Sequence, residues 1–393
     1  MSFVEGTSYP MAVEGEGADL SEVEGLTYAC IDGCALCCLC QPELLPDEER
    51  AFRGDPALRD GVSDQHISPD VQGAAIRLQG AHGACHFLRQ RRCSIYQRRP
   101  HYCRAFPLSV FSGWRVQVNA NLSCRGIGLP GEGLAASGRA LLGGIGADEV
   151  AKELNSSREV FVEFSRNTRD AKVAQSVSSL RGAAAALMED MTDELGLARV
   201  LTYAESGRTR QNSSAQEIAR RARDTHPEAD VGELGVSIGT ELFDLEDLSY
   251  LPIYVGEDLR WRIFRLQGDE VVGYVLDEGG GTQESSRTSP SEVAMLPMTP
   301  GGRKAFAAYL DVVNRRDCFV GHAAHLLDDD GYSFNFAQAY LGALANTAVD
   351  LWWRASFLAH LGGAARLDEG RVREGVVFFD MDLLDQPTIG AFL

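Results

Sequence analysis

The chain has 393 residues, 45% of them hydrophobic and 24% charged, with 56 acidic against 37 basic side chains and a formal net charge of −19. This suits a globular protein of two or three domains. It argues against a nucleic-acid partner, which requires a basic face to displace counterions. The absence of any run of about 18 uncharged apolar residues argues against a membrane-spanning helix.

Residues 1–25 contain the repeats V-E-G-E-G and E-V-E-G. They read as a loose acidic leader or as an arm over the neighbouring cysteine-rich segment. They lack the basic and apolar regions of a signal peptide, so the chain is expected to be cytoplasmic. Residues 26–133 hold nine of the ten cysteines. Cys30, Cys34, Cys37, Cys38 and Cys40 fall within eleven residues, entered through a turn at Asp32-Gly33. Pro46-Asp47-Glu48-Glu49 has the proline and acids of a helix start. Residues 55–72 read as irregular. Ala74–Gln79 and Trp114–Asn119 read as short strands flanking a second group, Cys85, Cys93 and Cys103. Cys124 comes next, and then a glycine-rich turn at 126–133 that lacks the Lys-Ser/Thr and the preceding buried strand of a phosphate loop.

Residues 134–230 read as helical, with apolar three- and four-residue steps near 147–170, 171–190, 193–205 and 213–224. Residues 231–393 read as an α+β domain. Its acidic stretch at 241–248 suits a solvated face rather than carboxylate metal ligands. Asp258–Asp277 is a hairpin turning at Gly268-Asp269, and Glu278–Pro290 is a flexible flap. Arg303–Asn314 and Phe334–His360 are helices, Arg371–Phe379 is a late strand, and Cys318 is a buried apolar thiol. The expected fold class is α+β: a small cysteine-rich metal domain, then a mainly helical domain with a β-hairpin.

The cysteines point to metal rather than to disulfides. Cys37 and Cys38 are adjacent, and neighbouring cysteines bridge each other only with strain. Thiols of a cytosolic protein stay reduced, and clusters of them bind metal or do redox chemistry. The spacing C-x3-C-x2-C can wrap one corner of an iron–sulfur cubane, whereas structural zinc sites usually show paired C-x2-4-C units. The same spacing opens the radical S-adenosylmethionine enzymes, but the long alternation of strands and helices that should come after it is missing. Arg89, Arg91, Arg92, Arg98, Arg99 and Arg104 form a cationic island in an acidic chain. Such charges suit an anionic thiolate centre, with Arg98, Arg99 and Arg104 taken as cofactor-flanking. Tyr96 and Phe106 would give apolar cover. His82, His86 and His101 are expected to be outer donors or surface residues rather than ligands.

The cysteines, Gly83-Ala84-Cys85, Ile95-Tyr96, Arg99-Pro100, Cys103-Arg104, Phe106-Pro107 and the G-I-G after Cys124 together resemble the YkgJ-type cysteine-cluster proteins. That family is described as zinc- or iron-chelating and is often labelled Fe–S oxidoreductase. The resemblance covers about residues 26–130. It implies Cys30, Cys34, Cys37, Cys38, Cys85, Cys93, Cys103 and Cys124 as ligands of one or two [4Fe–4S] clusters, or of zinc. It implies a redox or protein-maturation role served by a protein partner or protein substrate. Cys40 falls outside the pattern. The FliB-type flagellin lysine methylases are similar in cysteine content and length, which makes S-adenosylmethionine-dependent protein methylation an alternative. A structural zinc module that scaffolds a partner complex is another.

Overall fold

The computed structural model describes residues 18–66, 73–80, 83–206, 212–245 and 251–393. Most of the leader (1–17), residues 67–72 of the irregular segment, His82, and residues 246–248 of the acidic stretch lie outside the described residues.

The helix Phe336–Leu361 is apolar on nearly every face and is buried on nearly every face. Around it pack the helices Val177–Ala185, Glu194–Glu205, Val231–Phe243, Asp317–Asp329 and Glu369–Leu384. Several of these helices start on a capping side chain that accepts a backbone N–H of the first turn: Ser176, Asp193, Asp230, Asn335 and Asp368. Such caps satisfy donors that the helix itself leaves unpaired. The indole of Trp353 lies fully buried against Gly235 and Gly239, where a Cβ would overlap the ring. Gly239→Ala should therefore destabilise the fold by about 1–3 kcal/mol through overpacking, measured by chemical denaturation.

The α+β class is borne out, with small separate sheets beside the helices. The expected hairpin forms from the strands Trp261–Gln267 and Glu270–Leu276. Two readings are corrected. The flap at 278–290 is largely the strand Thr282–Thr288, paired antiparallel with Glu270–Leu276. It is an edge strand with both faces polar, so no apolar alternation marks it. The late strand Arg371–Phe379 is part of the helix Glu369–Leu384. Its V-V-F-F run is buried against helices on several sides, which erases the helical period, and a short apolar run cannot be told from a strand by pattern alone.

A second sheet orders Ala391–Phe392, Leu108–Ser112 and Val116–Ala120, all antiparallel. The described end of the leader runs along its other edge. The Asp19 N–H donates to the Val116 carbonyl at 2.8 Å, and the Val118 N–H donates to the Asp19 carbonyl at 2.9 Å.

A buried charge network ties these parts together. The Arg316 guanidinium, with 0% of its side chain exposed, meets Asp380 at 2.6 Å and Glu22 at 3.0 Å. It also donates to the Ala120 carbonyl at 2.9 Å. Asp380 accepts further from the Tyr309 hydroxyl (2.5 Å) and the Leu122 N–H (2.6 Å). Charges this deeply buried persist only when fully paired.

Candidate metal centre

The first cysteine group is folded by two left-handed residues. Gly33 (φ 84°) takes that conformation freely, while Ala35 (φ 49°) is held in it as the chain enters the tight turn Leu36–Cys38. The second group is laid directly on the first: the Cys85 N–H donates to the Cys38 carbonyl at 2.7 Å. The Gln79 amide donates to the Cys85 and Leu88 carbonyls at 3.0 Å each. Cys93 pairs across a short hairpin with Leu88. Pro100 is extended and starts the short helix His101–Ala105 that carries Cys103; Glu48 accepts the His101 N–H there at 2.7 Å. Cys124 is placed by the turn after Val116–Ala120, where the Ser123 hydroxyl accepts the Met381 N–H at 2.9 Å. Arg125 next to it donates to the Val255 carbonyl at 2.7 Å and forks onto Glu374.

All ten cysteines are free thiols. Cys30, Cys37, Cys38, Cys40, Cys85, Cys93 and Cys103 line one cavity of about 310 Å³, together with Ile31, Ile76, Phe87 and Ile95. Cys34 and Cys124 are buried and do not line it. Among the described residues no three His, Cys, Asp or Glu side chains already form a grip for a metal ion. The thiols are gathered without being drawn into a finished coordination shell. The donor set nevertheless fits the group that the sequence implies, since clustered thiolates select zinc or iron–sulfur.

Burial and mutual repulsion keep most of these thiols protonated. Burial pushes Cys124 up to about 12, and the Cys34, Cys37 and Cys30 thiolates add to it. Burial pushes Cys85 up to about 11, with Cys93 and Cys37 adding. Cys103 rises through burial and then through Cys85, Cys37 and Cys93. Cys37 is the exception: the hydrogen bond from the Cys38 thiol lowers it, and Arg99 helps. Cys38 rises correspondingly, first through that hydrogen bond. Cys37 neighbours every other thiol of the cluster, and Cys124 also meets Cys34 and Cys30. Cys93 also faces Cys30.

The arginine island divides. Arg91, Arg92 and Arg99 line the cavity, and Arg99 stacks over Tyr96 at 3.8 Å from the ring centre. Arg98 is paired with Asp55, and Arg104 lies 3.5 Å from Glu48; neither lines the cavity. His86 packs edge-on against Phe87, and His101 is buried beside Tyr102. Neither histidine lines the cavity. Phe106 packs against the apolar shell of the cysteine lobe.

Sequence reasoning misses the contribution of the second half of the chain. The Trp261 indole N–H donates to the Cys34 carbonyl at 2.7 Å, and Leu259, Leu276 and Met381 pack on the same shell. The sequence places Trp261 in the first strand of the expected hairpin. Nothing in the sequence says that the cysteines lie there.

No helix among the described residues is long and apolar enough to cross a membrane. Comparison with curated proteins and with solved structures gives no match. Residues 29–125, about a quarter of the chain, match the family model CxxCxxCC, described as "putative zinc- or iron-chelating domain", and similarity to the FliB-type methylases is not shown. With the thiols so gathered, this lobe is a metal-binding cysteine-cluster domain.

Proposed function

We propose that the eight cysteines Cys30, Cys34, Cys37, Cys38, Cys85, Cys93, Cys103 and Cys124 hold iron–sulfur in two four-thiolate sets, and that the protein serves a redox or protein-maturation role with a protein partner in the cytoplasm. The observation that carries this reading is a cavity lined by six of these thiols, Cys30, Cys37, Cys38, Cys85, Cys93 and Cys103, drawn from two distant segments. The cavity has a volume of about 310 Å³. A lone zinc ion among four sulfurs needs no such space, whereas a cluster with inorganic sulfide does. We assign Cys30, Cys34, Cys37 and Cys124 to one set, because Cys124 has the other three as its neighbours, and Cys38, Cys85, Cys93 and Cys103 to the other. Cys40, exposed at the cavity, is left out of both.

A bound cluster would supply one-electron chemistry. The chain's own residues set its conditions. Ile31, Ile76, Phe87 and Ile95 exclude water, and Arg91 and Arg99 offset the charge of an anionic centre, which tunes a cluster's potential. Protein purified without oxygen should be brown, with broad visible absorption and equal iron and sulfide. Colourless protein holding zinc would favour the scaffolding module instead. Protein holding neither metal would overturn the reading.

A further inference from the structure

The second cysteine group contains a hairpin whose two turn residues, Gln90 and Arg91, both adopt left-handed conformations (φ 52° and 61°). Two-residue hairpin turns of this kind prefer asparagine and glycine. Here the turn is held from outside. The Arg91 N–H donates to the Glu278 carboxylate at 2.5 Å. The Arg91 guanidinium donates to the Gly33 carbonyl at 2.9 Å, to the Cys34 carbonyl at 3.3 Å and to the Leu259 carbonyl. It stacks 3.5 Å from the centre of the Trp261 ring, whose N–H also reaches the Cys34 carbonyl. Beside it, the Ala84 N–H donates to the Glu278 carbonyl at 2.9 Å. Gly83 approaches the backbone at 278–279 so closely that a Cβ would lie 2.7 Å from the Glu278 carbonyl oxygen. One side chain thus touches both cysteine groups and the C-terminal sheet, and it also lines the thiol cavity.

We propose that Arg91 is a positioning residue that couples the metal centre to the C-terminal sheet. Filling the centre tightens the docking of residues 259–288, and that docking raises the affinity for metal. The inference rests on the metal-centre reading and adds a regulatory link that the cysteine domain cannot contain alone, because residues 29–125 include neither Trp261 nor Glu278. The physical cause is charge. A divalent ion or a cubane core held by four thiolates is an anion, and it attracts the Arg91 cation inward. Arg91 then fixes the strained turn and the carbonyls of Gly33 and Cys34, which orient Cys34 and its neighbours. Coupling of this kind is reciprocal, so whatever strengthens the docking must strengthen binding by the same factor.

The test uses the full-length, reduced chain with Zn²⁺ alone as the probe. Affinity is read by competition with a chromophoric chelator, and sheet docking by amide hydrogen exchange over residues 259–288. In the unaltered chain, Zn²⁺ should slow exchange there by about tenfold or more. Arg91→Leu should weaken binding by about 10–100-fold, the usual cost of losing a partner behind the ligands, and should abolish the metal-induced slowing. Arg91→Lys should recover only part of both, since an ammonium cannot fork onto several carbonyls. Trp261→Phe removes one N–H without touching a thiol, and it should weaken binding severalfold with the hairpin intact. Binding with no change in exchange over 259–288, or wild-type affinity in both Arg91→Leu and Trp261→Phe, would overturn this inference alone. A chain that takes up no metal under any condition would overturn the metal-centre reading and this inference with it.

Discussion

Cys85→Ser and Cys124→Ser should each remove about half of the bound metal, and the double variant should remove nearly all of it. The expectation comes from the proposed division of the thiols into two sets. Cys124 has Cys34, Cys37 and Cys30 as its neighbouring thiols, whereas Cys85 has Cys93 and Cys37. A second substitution within one set, such as Cys34→Ser added to Cys124→Ser, should cost little beyond the first, because a four-thiolate site missing one ligand is already compromised. Cys40→Ser should keep the full complement. The measurement is metal and sulfide per chain after anaerobic purification, with circular dichroism to confirm folding. If Cys85→Ser and Cys124→Ser each emptied the chain completely, the thiols would form one interdependent centre and the division into two sets would fail.

Arg316→Met should lower stability by about 3–5 kcal/mol, the range for removing one partner of a buried ion pair. The substitution strands Asp380, 0% exposed, and Glu22 without their shared cation. The double variant Arg316→Met with Asp380→Leu should recover part of the loss, since an uncompensated buried charge costs more than an apolar pair. Denaturant midpoints with their slopes would measure both variants. A loss below about 1 kcal/mol in Arg316→Met would mean that water or a neighbouring group satisfies the carboxylates.

The helices are legible in the sequence where they are half-buried. Ala147–Asp170 and Glu194–Glu205 have apolar steps on one face and polar residues on the other, and their ends fall within a residue of the sequence reading. The helix Phe336–Leu361 announces itself through its length. The helix at 369–384 reads as a strand because burial on several sides removes the polar face that would reveal its period. The strand at 282–288 is hidden for the opposite reason, since its composition is polar throughout. For the candidate site, thiol spacing brings two segments together on paper, and the backbone contact between Cys85 and Cys38 does so in space. The arginines are visible as an island. Which of them face the cavity depends on Asp55 and Glu48, carboxylates in an earlier segment that draw Arg98 and Arg104 away. The roles of Trp261 and Glu278 are beyond sequence reasoning, because they depend on how two distant parts of the chain are stacked.

The tie between Leu122 and Asp380 joins residues 258 positions apart. At the usual pace of translation, about 5–20 residues per second, roughly 10–50 s separate the emergence of Cys124 from that of the helix that secures its turn. Throughout that interval the nascent thiols are reachable by oxidants and by stray ions. Metal arriving before that helix emerges would meet an unfinished site, and a cell short of reductant would expose newly made copies to oxidation before mature ones.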